Sequence, residues 1–124
     1  MVSARYAVGI DLGTSHTLLA WADLRAQQPE PQLFDIAQAV ASGQVADLPL
    51  LPSLRYHPVS GELPAAELDL PWPQPRLAGD VLLPAAVFGR RARDLGAQLP
   101  GRLVASAKSW LSHPGVDRHA AILP

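Results

Sequence analysis

Two apolar runs between Val8 and Ala22 are joined by a turn that few residue types can make. They read Val8-Gly9-Ile10-Asp11-Leu12-Gly13-Thr14-Ser15-His16-Thr17 and then Leu18-Leu19-Ala20-Trp21-Ala22. Val8, Ile10 and Leu12 are spaced by two, so they share one face of a strand, read as buried, and Asp11 falls on the other face at the strand's end. Gly13 removes the Cβ that would keep the backbone from a bulky anion. The amides from Gly13 to His16 then suit an anion-binding nest, with the Thr14 and Ser15 hydroxyls as further donors. A carboxylate at Asp11 suits magnesium through water, because that ion keeps most of its hydration shell. The same residues also serve a plain hairpin, in which Gly-Thr-Ser makes the turn and nothing more.

The run after the turn is apolar and tolerant of β structure, so the loop joins two strands. That excludes the Walker arrangement, in which a phosphate loop opens a helix and carries Gly-Lys followed by Ser or Thr. The chain has no such Gly-Lys pair and no Gly-x-Gly-x-x-Gly fingerprint.

Later segments carry their own punctuation. Pro29 and Pro31 precede a third strand expected over Gln32-Leu33-Phe34-Asp35-Ile36. Pro64, Pro71, Pro73, Pro75 and Pro84 rule out a regular helix or central strand between Leu63 and Pro84. Trp72, flanked by two prolines, is expected to fold back on the domain, with a partner-binding role as the sharper reading. A helix is predicted over Gly89 to Leu95, with Ala92 and Leu95 inward, Arg90, Arg91, Arg93 and Asp94 outward and Gly96 as C-cap. A second is predicted over Arg102 to Leu111, where Leu103, Ala107, Trp110 and Leu111 make an apolar stripe. Lys108 stands beside that stripe, where a lysine ordinarily serves the helix dipole.

Composition narrows the class. The 124 residues carry a formal charge of −1, with no basic stripe for nucleic acid. Cysteine is absent, which removes disulfides and thiolate metal sites. No apolar run reaches the ~20 residues that span a bilayer, and no signal peptide is read at the N-terminus. The expected location is the cytoplasm. His57, His113 and His119 lack zinc-ligand spacing and read as surface residues, and Glu62, Glu67 and Asp69 show no cleft for paired catalytic carboxylates.

Ile10-Asp11-Leu12-Gly13-Thr14-Ser15 resembles the first phosphate loop of the actin-like ATPases, specifically of the DnaK-type (seventy-kilodalton heat-shock) chaperones. Leu51-Pro52-Ser53 is similar to that family's Thr-Pro-Ser, Phe88-Gly89-Arg90-Arg91-Ala92 to its Val-Gly-x-x-Ala, and Ala107-Lys108-Ser109-Trp110-Leu111 to its Ile-Lys-Arg-Leu-Ile, all in the family's order. The resemblance runs from Tyr6 to about Pro124. It implies an α/β chain with a partial actin-like (ribonuclease-H-like) fold. Residues 1–48 would begin the lower subdomain with its phosphate hairpin, 49–115 would form the small upper subdomain with a Pro-rich insertion at about 63–86, and 116–124 would start the return. Val8, Ile10, Leu12, Leu18, Ala20 and Leu33 would then belong to a core that further chain completes.

The same resemblance implies ATP or ADP with Mg²⁺ as cofactors. Gly13, Thr14, Ser15 and His16 would hold phosphate, Asp11 would meet the metal through water, and Lys108 would be catalytic with Asp11. Ser109 departs from the family's basic residue, and His16 from its Asn or Tyr. The second phosphate loop and the adenosine pocket have no counterpart before Pro124, so the chain reads as an N-terminal fragment that alone is a poor ATPase. Unfolded client proteins and co-chaperones would engage the remainder; neither nucleic acid nor membrane is expected. Two alternatives stay open: a non-catalytic interaction module, or another actin-like ATPase such as a sugar kinase, although sugar kinases place no lysine at the position of Lys108.

Overall fold

The computed structural model describes residues 4–68, 71, 85–117 and 119–120. In chain order the strands are β1 (Tyr6–Leu12), β2 (His16–Asp23), β3 (Gln32–Leu33), β4 (Ile36–Ala41), β5 (Gln44–Leu48), β6 (Leu51–Pro52) and β7 (Leu54–Tyr56). After the short helix α1 (Ala65–Leu68) come β8 (Val87–Phe88), the longer helix α2 (Gly89–Gln98) and β9 (Leu103–Ala105). Single 3₁₀ segments flank β9, at Pro100–Arg102 and Ala107–Ser112.

The β1–β2 hairpin forms as its alternation requires, with Leu12 opposite Thr17 and Tyr6 opposite Asp23. β2 is the central strand of its sheet: β3 pairs with its second half, and β6 with His16 and Thr17 at its start. Opposed residues of an antiparallel pair share a face. Tyr6, Val8, Ile10 and Leu12 therefore line up with Leu19 and Trp21, while Asp11 lies on the other face with Leu18. The Tyr6 and Trp21 rings meet edge to face at 5.6 Å.

The buried strand expected at β1 is in fact an exposed edge. Val8 and Ile10 are each 60% exposed and Leu12 is 64% exposed, with Leu33 at 59%. Among the described residues β1 pairs with β2 alone, and these exposures leave that apolar face uncovered by any described element. The third strand also divides: Gln32 and Leu33 pair with β2, and Ile36 instead opens a second hairpin of β4 and β5. Its turn needs Gly43, whose φ is +65°. The alanine-rich β4 carries little alternation, which is why it escaped the sequence pattern.

The core lies elsewhere, between α2 and the sheet in which β7 runs between β8 and β9. Tyr56 is opposite both Val87 and Leu103, and its inward face meets Ala92 and Leu95 of α2. Burying Val87 and Leu95 contributes about 1.5–3 kcal/mol each. α2 buries Ala92 and Leu95 as predicted, but it runs on to Gln98. Gly96 is not its cap; it is buried inside the helix, where a Cβ would stand 2.6 Å from a Leu103 methyl. The second predicted helix is absent. Its residues form β9 and the 3₁₀ segment Ala107–Ser112, because Leu103 pairs with Tyr56 and Ser106 breaks the chain with a φ of +52°. Trp110 and Leu111, expected on a buried stripe, stay 43% and 58% exposed.

Two polar devices tie these pieces together. Gln38 of β4, 2% exposed, donates from Nε2 to the Leu50 carbonyl (2.9 Å) and accepts at Oε1 from the Arg90 amide (3.3 Å). It thereby caps α2, since the N-cap residue Phe88 offers no side-chain bond. Glu62 accepts from the Tyr56 hydroxyl, the Val59 amide (2.8 Å) and the Arg102 guanidinium. Glu67 takes Arg91 (2.8 Å), so Arg91 is not the free solvent-facing residue expected. His57 is half-buried rather than at the surface, and its Nε2 finds no partner. Burial, and then the neighbouring Arg55, push its pKa down. Asp69, Trp72 and the centre of the Pro-rich insertion lie outside the described residues.

Gly89 sits at φ +67°, with a hypothetical Cβ 2.6 Å from Leu51 Cδ1 and 2.8 Å from Gln38 Oε1. Replacing it by Ala should cost about 1–3 kcal/mol, read as a lower urea midpoint with unchanged slope. A second expectation concerns pH. The Tyr56 bond first, then the Val59 amide, hold the Glu62 carboxyl below its ordinary value of 4.5, and the bond to Glu62, then burial, push Tyr56 above 10.0. The stabilisation from Glu62 is complete above its ordinary value and disappears as pH falls through the lowered one; that from Tyr56 is complete below 10.0 and disappears as pH rises. Thermal midpoints of Glu62→Gln should fall less steeply below about pH 4.5 than those of the unsubstituted chain; an identical acid limb in both would contradict this role.

Candidate anion-binding turn

Residues 12–16 close the β1–β2 hairpin, and outside donors reach their carbonyls. The Ser53 hydroxyl donates to the Gly13 carbonyl (2.8 Å), and the Ser53 amide donates to the Ser15 carbonyl (2.9 Å). Lys108 Nζ donates to the Leu12 carbonyl at 2.6 Å, across 96 positions of sequence. Ser53 is in place because β6 pairs with β2 at Thr17 just before it. Lys108 is in place because the left-handed Ser106 turns the chain out of β9 into the 3₁₀ segment.

These bonds fix the direction of the turn's amides. In a planar trans peptide the C=O and the next N–H point opposite ways, and the chain has no cis bond among the described residues. Tying the carbonyls of Leu12, Gly13 and Ser15 therefore turns the amides of Gly13, Thr14 and His16 away from Lys108 and Ser53. Among the described residues, no acceptor takes the amides of Thr14 or Ser15, whereas the Leu12–Thr17 register directs the Gly13 amide to the His16 carbonyl. Gly13 is required by the turn itself, since a Cβ there would strike the His16 carbonyl.

The predicted site residues are thus partly brought together. Gly13, Thr14, Ser15 and His16 form one turn, with Lys108 held against its carbonyl side. Lysine carries three donors, and one is engaged on Leu12. Asp11 is exposed on the face opposite Leu12, and no group donates to its carboxylate among the described residues. No cluster of three or more His, Cys, Asp or Glu gathers among the described residues, so a cation near Asp11 would have one protein carboxylate and water for the rest. Below the turn, Thr17, Leu51, Ser53, Arg55, Phe88 and Val104 line an apolar hollow of about 380 Å³.

Two participants were missed in the sequence. Ser53 stood in the Leu51-Pro52-Ser53 motif without a role, and its position before a strand gave no hint of two bonds to the far-off residues Gly13 and Ser15. Arg93 meets the His16 ring, Nη2 to Nε2, at 3.1 Å, although it was read as a solvent-facing helix residue. No local signal foretells that contact.

Compared with protein-family models, with curated proteins and with solved structures, the chain finds no match. Among the described residues no helix is long and apolar enough to cross a membrane.

Ser53→Ala should release the Gly13 carbonyl at a cost of about 1 kcal/mol. Amide exchange at Gly13 to His16 should speed up relative to that of α2. Equal exchange in both chains would mean the hydroxyl does not order the turn.

Proposed function

We propose that this chain is the N-terminal part of the nucleotide-binding domain of a DnaK-type chaperone that binds and hydrolyses ATP, with a partial actin-like fold. The observation that carries this reading is the Lys108 ammonium held on the Gly13 turn from 96 residues away, while the Thr14 and Ser15 amides have no partner among the described residues. A lysine brought that far to a glycine-hydroxyl turn is an arrangement suited to a phosphoryl group. The amides from Gly13 to His16, those of Thr14 and Ser15 without partners among the described residues, would supply donors for phosphate oxygens together with the Thr14 and Ser15 hydroxyls. Asp11, at the strand's exposed end, supplies a carboxylate for hydrated Mg²⁺. Lys108, rotated from the Leu12 carbonyl, offsets charge on the transferring group and orients the attacking water, the positioning and electrostatic work that dominates phosphoryl transfer. ATP supplies the phosphoanhydride; client proteins and co-chaperones would engage the remainder of the protein, which would work in the cytoplasm.

One observation favours a second reading. The bond from Lys108 to the Leu12 carbonyl is a structural tie as it stands, and a non-catalytic interaction module would need nothing more of it. Lys108→Ala in the full-length protein separates the two. The ATPase reading expects turnover to fall by about 10²-fold or more with ATP affinity nearly unchanged. Normal turnover in the variant, or no ATP binding by the unsubstituted protein, would sink it.

A further inference from the structure

The outer side of the turn carries cations that the nucleotide reading leaves unused. His16 opens β2, and its ring reaches the exposed face of α2, where Arg93 Nη2 lies 3.1 Å from Nε2. Arginine only donates, so Nε2 is the acceptor. A guanidinium is thus met by a neutral acceptor, and among the described residues no carboxylate pairs with Arg93. Arg90 stands three residues earlier on the same helix face. Its Nε is 3.5 Å from Asp94 Oδ1, and its two amino groups have no partner among the described residues.

These three side chains border a hollow of about 260 Å³ whose other wall is Leu48, Pro49, Leu50 and Pro52. No carboxylate lines it. That wall is rigid for stated reasons: two prolines fix their own φ, the buried Gln38 amide holds the Leu50 carbonyl, and Pro52 is paired to His16 across β6 and β2. The space admits several waters, enough for a phosphoryl group with part of its hydration. Apolar walls around cations of one sign focus the potential on an anion. Arginine forks match phosphate oxygens in bidentate geometry and meet there an opposite charge that a neutral imidazole does not offer.

We propose that this hollow is an anion site for a phosphoryl group, held by Arg93 and Arg90 against the His16 ring. Arg93 exchanges its bond to imidazole for bidentate bonds to anionic phosphate oxygens, and Asp94 keeps Arg90 in position. The site goes beyond the nucleotide reading and uses none of its donors, since that reading relies on the turn's backbone amides, the Thr14 and Ser15 hydroxyls and Lys108. Two sources share this chemistry, free inorganic phosphate and a phosphate of a nucleotide seated on the adjacent turn.

Inorganic phosphate titrated into the whole chain at constant ionic strength, with chloride as the control, should give a saturable shift of the His16 ring and Arg93 Nε resonances. Arg93→Gln should weaken that binding by about tenfold or more, Arg90→Gln should weaken it too, and Lys108→Ala should leave it unchanged. All three side chains are exposed or on an exposed face, and circular dichroism checks the fold of each variant. No saturable shift, an equal shift with chloride, or an equal loss in Lys108→Ala would overturn the proposal. ATP added last identifies the source. Displacement of bound phosphate from Arg93 supports a nucleotide phosphate in the hollow. Phosphate bound at Arg93 with ATP leaving it undisturbed supports the free ion, and the site then stands even if ATP fails to bind at all and the nucleotide reading falls.

Discussion

A single buried amide sets the geometry on which both halves of the molecule depend. Gln38 is sequestered from water, and each end of its amide is used: the nitrogen on the Leu50 carbonyl, the oxygen on the Arg90 amide in the first turn of α2. Leaving either end unpaired inside the protein would cost about 1–3 kcal/mol, so the β4–β5 hairpin, the bend at Leu50 and the start of α2 are held in one arrangement. The consequences run outward from there. Leu50 precedes β6, β6 pairs with the first residues of β2, and Ser53 follows directly to bind the turn. Gly89 completes the arrangement, because only a residue without a Cβ lets α2 approach both Leu51 and Gln38.

The apolar face of the first hairpin obeys a different constraint. Val8, Ile10 and Leu12 alternate as a core strand should, yet the core that the described residues build is centred on Tyr56, on α2 and the β8–β7–β9 sheet. A strand with a free edge and exposed branched side chains is an association surface unless something covers it. Tyr6 is partly shielded by the edge-to-face Trp21 ring and by the Arg5 guanidinium 4.9 Å from its centroid. Arg5 is itself held by Asp23, whose pKa is lowered first by the Arg25 amide and only then by Arg5. That end of the hairpin is therefore closed by charge, while the end near the Gly13 turn is left open.

What could be read in the sequence divides by the range of the forces involved. The strand–turn–strand of residues 6–23 and the inward face of α2 rest on periodicity and turn chemistry, both local, and both were legible. The stripe from Leu103 to Leu111 had helical spacing but became β9 and a 3₁₀ segment, since pairing with Tyr56 outweighed an intrinsic preference worth a fraction of a kcal/mol per residue. Gly96 read as a stop signal because glycine usually ends helices, whereas here its missing Cβ admits Leu103. Of the candidate site, the turn residues and Lys108 could be named, but Ser53 and Arg93 act across long stretches of chain and left no local pattern.

The turn's two sides are electrically coupled through its own peptides. A donor on a carbonyl polarises the whole amide and makes the N–H of the same peptide a stronger donor. Lys108 on the Leu12 carbonyl acts on the Gly13 amide, the Ser53 hydroxyl on the Thr14 amide, and the Ser53 amide on the His16 amide. In this position the cation on the carbonyl side thus strengthens the amide donors on the other side of the turn. The same three bonds prevent the carbonyls from rotating inward to repel an anion, so binding would incur little reorganisation. A hairpin that merely reversed the chain would satisfy its carbonyls with water and would need neither a lysine from 96 positions away nor a serine that binds twice. The expenditure of long-range donors on the carbonyl side is the physical reason to look for function on the amide side.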